Sequence, residues 1–101
     1  MPTVLKKENF DQTVLKEKRL LVFFYKEDDA ESMITLSSLN EVEQMFGRDF
    51  YIYSVNSFSE PEICDACSVT KTPEIISIID AKIYKRKTGI LKSNEILNLL
   101  K

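Results

Sequence analysis

The sequence predicts an α/β domain with a central mixed sheet of about five strands flanked by about four helices, in the order βαβαβαββα. Three observations carry that prediction. Apolar residues switch repeatedly between strand-like runs and the three- and four-residue spacing of a helix. The run Leu20 to Tyr25 is continuously apolar, which suits a central strand covered on both faces. Near the end, two strand-like segments stand only Asp80 and Ala81 apart, too close for anything but a hairpin. Crossovers between the early strands demand parallel pairing and the hairpin is antiparallel, so the sheet is mixed.

The elements follow in order. Thr3 to Leu5 forms a short strand, and Asn9 to Lys18 reads helical through Phe10, Val14 and Leu15. After the central strand, Met33, Leu36, Leu39, Val42 and Phe46 recur at helical spacing between Ala30 and Phe46, and Gly47 supplies a stop. Phe50 to Val55 is the next strand. Ser59, Glu60, Pro61 and Glu62 show a capping-box pattern with proline in the first turn, which starts a short helix through Cys67. Glu74 to Ile79 and Lys82 to Lys87 make the hairpin. Ser93 caps a last helix whose apolar face is Ile96, Leu97, Leu99 and Leu100.

With 101 residues, 44% of them hydrophobic and 30% charged, the chain suffices for one compact core, expected as a single domain over residues 1–101. Its longest apolar run falls far short of the roughly 18 residues a membrane helix needs, and the N-terminus lacks a signal-like apolar stretch. A soluble, cytoplasmic protein is therefore expected. A net charge of -2 with no histidine argues against nucleic-acid binding by phosphate neutralisation, and removes the commonest acid/base group and metal ligand. Gly47 and Gly89 are the only glycines, so there is no glycine-rich phosphate loop. No cofactor and no metal are expected.

Particular residues then carry a resemblance. Asn9, Phe10 and Asp11 near the start, Leu21, Val22, Phe24 and Tyr25 on the central strand, Val55 and Asn56, Pro61, Thr72 with Pro73, and Gly89 together resemble the thioredoxin family across nearly the whole chain. From Val22 to Leu100 the pattern lies down without a gap. The resemblance implies a thioredoxin-like fold and a cis bond before Pro73. It also implies a shallow partner groove made by three loops, with Asp28, Asp29, Lys71, Thr72, Pro73, Gly89 and Ile90 at the matching positions.

The departures from the family bear on function. Where the family has tryptophan, cysteine, glycine, proline and cysteine, this chain has Asp28, Asp29, Ala30, Glu31 and Ser32. Disulfide exchange needs a thiolate and a second, resolving thiol, and neither carboxylate nor hydroxyl replaces them. The family's buried acid on the central strand is replaced by Phe23, and its lysine partner by Ser54. Asp29 suits a helix N-cap, and the sharper alternative is an anionic stand-in for a thiolate presented to a partner.

Cys64 and Cys67 form a C-x-x-C, but Cys64 lies five residues beyond Ser59, away from a helix start that would stabilise a thiolate. Two buried thiols packing as small hydrophobes is the simpler reading, and a redox or metal role is the alternative. Lys82, Lys85, Arg86, Lys87 and Lys92 form a basic stretch that, on an edge strand, guards against edge-to-edge pairing. Tyr51 and Tyr53 alternate with Ile52 and should share one face of their strand. The expectation is a redox-inactive domain that binds a protein or peptide partner, as a monomer or weak dimer, without nucleic acid or membrane. Its rivals are an oxidoreductase relocated to Cys64 and Cys67, and a structural subunit of a larger assembly.

Overall fold

The computed structural model describes residues 2–101. Its elements are β1 (Thr3–Val4), α1 (Lys7–Lys16), β2 (Arg19–Tyr25), α2 (Ala30–Phe46), β3 (Tyr51–Asn56), α3 (Pro61–Ala66), β4 (Glu74–Ile79), β5 (Lys82–Thr88) and α4 (Ser93–Asn98). The sheet order is β1-β3-β2-β4-β5. β3 runs parallel to both β1 and β2, whereas β4 is antiparallel to β2 and β5. This is the mixed arrangement that the crossovers and the hairpin require.

β2 sits at the centre because its side chains are apolar on both faces. Leu20, Val22 and Phe24 enter one core with Val55, Ile76, Ile63 and Cys64, under α1 and α3. Leu21 and Phe23 enter the other with Ile75, Leu39, Val42 and Ile96, under α2 and α4. Burying each such side chain is worth about 1.5–3 kcal/mol, and the central strand contributes to both cores at once. No helix among the described residues is long and apolar enough to cross a membrane.

Both predicted serine caps are displaced. The N-cap of α3 is Glu60 and not Ser59, because Asn56 Oδ1 accepts the Ser59 N–H at 3.3 Å and the Phe58 N–H at 3.0 Å, folding the loop one residue longer. Lys92, not Ser93, precedes α4: Glu95 Oε1 reaches back to accept the Lys92 N–H at 3.1 Å, while the Ser93 hydroxyl turns to Ser38 O on α2. α1 begins two residues early, at Lys7, where Asn9 Oδ1 accepts the Lys6 N–H.

Gly47 does end α2, though with φ of -65° and not the left-handed geometry of a usual glycine stop. What it supplies is space, since a Cβ there would lie 2.4 Å from Glu43 O. The hairpin turn puts Asp80 at φ 52° and Ala81 at φ 66°, the pair of left-handed residues that defines a type I′ turn. A Cβ in that region is strained by about 1–2 kcal/mol, partly offset by the lower unfolded-state entropy of alanine. Ala81→Gly is therefore expected to raise stability by about 0.5–1 kcal/mol, read as a higher denaturation midpoint at unchanged slope.

Candidate functional site

Strand register brings three loops to one end of the sheet. Phe24 at the end of β2 pairs with Glu74 at the start of β4, and Glu74 pairs with Thr88 at the end of β5. The loops that follow β2, precede β4 and follow β5 therefore meet. The Gly89 N–H donates to Pro73 O at 2.9 Å, and Thr35 Oγ1, buried on α2, accepts the Leu91 N–H at 3.3 Å. Gly89 has φ of 91°, open to glycine alone at low cost. The Thr72–Pro73 bond is cis.

Lys71 and Thr72 line a groove of about 450 Å³ together with Lys26, Ser57, Cys64 and Val69. Pro73 is buried at the start of β4 and is tied to Gly89 by the bond above. Ile90 is 48% exposed beside them in sequence. Asp28 goes elsewhere: with φ of 58°, it turns the chain into α2 and lines a separate cavity on the β3 side of that helix. Lys26 and Ser57 were not singled out from the sequence. The signal for both was available, since each follows the C-terminal end of a parallel strand, where α/β sheets bind ligands.

Asp29 is an N-cap. One oxygen, Oδ2, accepts the Ser32 N–H at 3.2 Å and the Ser32 hydroxyl at 2.7 Å, and Ser32 Oγ in turn accepts the Lys26 N–H at 3.3 Å. Ser32 is 1% exposed. Ala30 and Glu31 occupy the exposed first turn, where the acid suits the helix dipole. The carboxylate thus holds together the turn in which the family carries its redox pair.

Both cysteines are free and buried, Cys64 at 8% exposure within α3 and Cys67 at 3% just past its end. Burial raises the Cys64 thiol above its ordinary pKa, helped by Asp65, Glu60 and Glu74. Cys67 is pushed by burial from 9.0 to about 11, with Arg86 opposing. Arg86 reaches from β5 across the end of α3: Nη2 donates to Cys67 O at 2.7 Å, and Nη1 donates to Ser68 O at 3.2 Å and to Glu74 Oε2 at 3.1 Å. Glu74 is 3% exposed, and burial raises its carboxyl while Arg86 draws it down. Among the described residues, no group of three or more Cys, Asp or Glu is placed to hold a metal ion.

Fold and site together define a thioredoxin-type domain with the cis-proline loop present and the helix-start cysteine pair absent. The family model for thioredoxin matches residues 1–101, and the chain belongs to the thioredoxin family. Two solved structures share its fold. One, from work on the thiol resolving mechanism of yeast mitochondrial 1-Cys peroxiredoxin via glutathione/thioredoxin systems, has a TM-score of 0.88 at 18% identity, covering 98% of this chain and 93% of that one. The other, a provisionally assigned oxidoreductase with a thioredoxin fold, has a TM-score of 0.86 at 14% identity over 99% and 94% of the two chains. At such identities the likeness is one of fold. No curated protein matches the sequence.

Proposed function

We propose that this domain binds an extended segment of a protein partner in the groove beside Thr72 and does not carry out disulfide exchange. The observation that carries the reading is at the start of α2, where the position of the nucleophile is held by Asp29 and that of the resolving thiol by Ser32, hydrogen-bonded to each other at 2.7 Å. Binding is supported by the backbone of Lys71 and Thr72, which forms no hydrogen bond among the described residues and can pair with an added strand. Lys26 and Lys71 outnumber Asp65 on the groove wall, and the net positive charge favours a segment with acidic residues. Two unpaired cysteines suit a reducing compartment such as the cytoplasm. Substituting Thr72 and Ile90 should weaken capture of the native partner, and unchanged binding would place the contact elsewhere.

One observation favours the rival oxidoreductase, in that Cys64 lines the same groove. Thiol titration with a disulfide reagent at pH 8, run beside an insulin-reduction assay, separates the two readings. A thiol at about 11 in place of 9.0 has roughly 100-fold less thiolate at that pH, before burial slows access further. The expected result is labelling of Cys67 at least about 100-fold slower than in the denatured chain, with no turnover. Fast labelling of Cys64 with turnover that Cys64→Ser abolishes would replace the binding reading with the enzymatic one.

A further inference from the structure

A second cavity, of about 320 Å³, opens between α2, the end of β2 and the β1–β3 edge, on the opposite side of the Asp28 turn from the groove's cysteine wall. Its size falls at the lower end of ordinary small-molecule sites. Phe23, Tyr25, Val4, Met33, Leu36 and Ser54 line it. Phe23 and Tyr25 form an aromatic wall, their rings stacked at 5.6 Å between centroids and 22° between planes. Met33, which its helical spacing placed with the core residues, is instead 57% exposed at this opening, and Val4 is 52% exposed.

One polar group is left over inside. Ser54 is 7% exposed and lines the cavity, and while its carbonyl accepts the Leu5 N–H at 2.8 Å, its hydroxyl makes no hydrogen bond among the described residues. That hydroxyl is not sealed from solvent, so it is free to bond a molecule held in the cavity. The same position carries a lysine in the family pattern, and Phe23 stands in place of its acid. With the long cation and the acid both absent, the space between the strands and α2 is apolar and unfilled.

We propose that this cavity is a binding site for a small aromatic molecule bearing one hydrogen-bonding group, its ring against Phe23 and Tyr25 and its polar group on Ser54 Oγ. Offset stacking on the aromatic wall and contact with the Met33 thioether favour a ring over a branched chain. Lys26, Glu27 and Asp28 at the mouth carry charges of both signs, which favours a ligand without net charge. The site shares Lys26 with the partner groove but none of the residues that would hold the ring, so either can fail without the other.

Phenol and toluene, nearly equal in shape and differing in the hydroxyl, test it when titrated into the ¹⁵N-labelled full chain. Both should give saturable amide shifts confined to Phe23, Tyr25, Met33, Leu36 and Ser54. Ser54→Ala should move the phenol-to-toluene affinity ratio about 3- to 10-fold toward toluene, the worth of one hydrogen bond. Met33→Glu, on an exposed position that leaves the core intact, should weaken both probes. No saturable shift, shifts scattered over the surface, or a ratio that Ser54→Ala leaves unchanged would overturn the proposal. That includes the case in which only a partner protein's aromatic side chain enters the cavity.

Discussion

Arg86→Met is expected to lower stability by about 2–3 kcal/mol, seen as a fall in Tm of about 10–20 °C for a domain of this size. The ion pair with Glu74 joins one side chain that is 36% exposed to one that is 4% exposed. Its worth lies less in attraction than in what removal leaves behind, a buried carboxylate without a counter-charge and two carbonyls, Cys67 O and Ser68 O, without their donor. The partly exposed arginine places the cost just below the roughly 3–5 kcal/mol of a fully buried pair.

The pH dependence of that loss identifies its cause. Burial already raises the Glu74 carboxyl above 4.5, against the pull of Arg86, so this group favours the folded state when protonated and stops doing so as pH rises through its folded pKa. Without Arg86 the pull is gone and the folded pKa rises further. Measured by urea unfolding, the gap between wild type and Arg86→Met should therefore be widest near pH 7 and narrow on acidification toward 4.5. A gap that stayed constant with pH would assign the loss to packing and the end of α3, and not to the buried charge.

Arg86 also shows where sequence reading stopped. β2, α2 and the hairpin were legible because each rests on local periodicity or on a connection too short for alternatives. The run from Lys82 to Lys87 read as one cationic stretch along an edge, and β5 is indeed an exposed edge strand. Strand alternation then sends the adjacent Arg86 and Lys87 to opposite faces, and a register shift between Ser77 and Ile78 breaks that alternation nearer the turn. Arg86 lies over α3, whereas Lys87 meets Glu95 on α4 at 2.8 Å. Ser77 Oγ stabilises that irregularity by donating to Lys85 O and accepting the Lys85 N–H. Nothing in the spacing of lysines encodes a bulge.

The caps and the cavity were hidden for related reasons. Ser59 and Ser93 satisfy the local rule for a helix start, but Asn56 and Glu95 offered the backbone better-placed acceptors. The cavity depends on two residues from different strands, Phe23 and Ser54, which register sets side by side. Their identities were visible as departures from the family pattern. That the departures leave space, and leave Ser54 without a partner, is a property of volume and emerges only once α2 is laid on the sheet.

Placing thiols at the helix start tests whether Asp29 and Ser32 are what keeps this domain from disulfide exchange, as proposed above. Asp29→Cys with Ser32→Cys places two sulfurs where the carboxylate and hydroxyl now lie 2.7 Å apart, at the start of a 17-residue helix whose free N–H groups favour a thiolate. The exchange removes the cap and should cost about 1 kcal/mol, a fall in Tm of about 4–8 °C. In return, insulin reduction with dithiothreitol should rise from background by at least about tenfold, since a reactive pair at a helix start suffices for thiolate attack. Turnover should remain slow, because Phe23, 1% exposed in the core, offers no proton acceptor to the resolving thiol. If the variant forms its disulfide and is reduced by dithiothreitol yet leaves insulin untouched, the barrier lies in the groove. Lys71, where the family has glycine, and Asp28, where it has tryptophan, would then be what turns ordinary thioredoxin substrates away. The lost cysteines would be a consequence of a changed partner and not its cause.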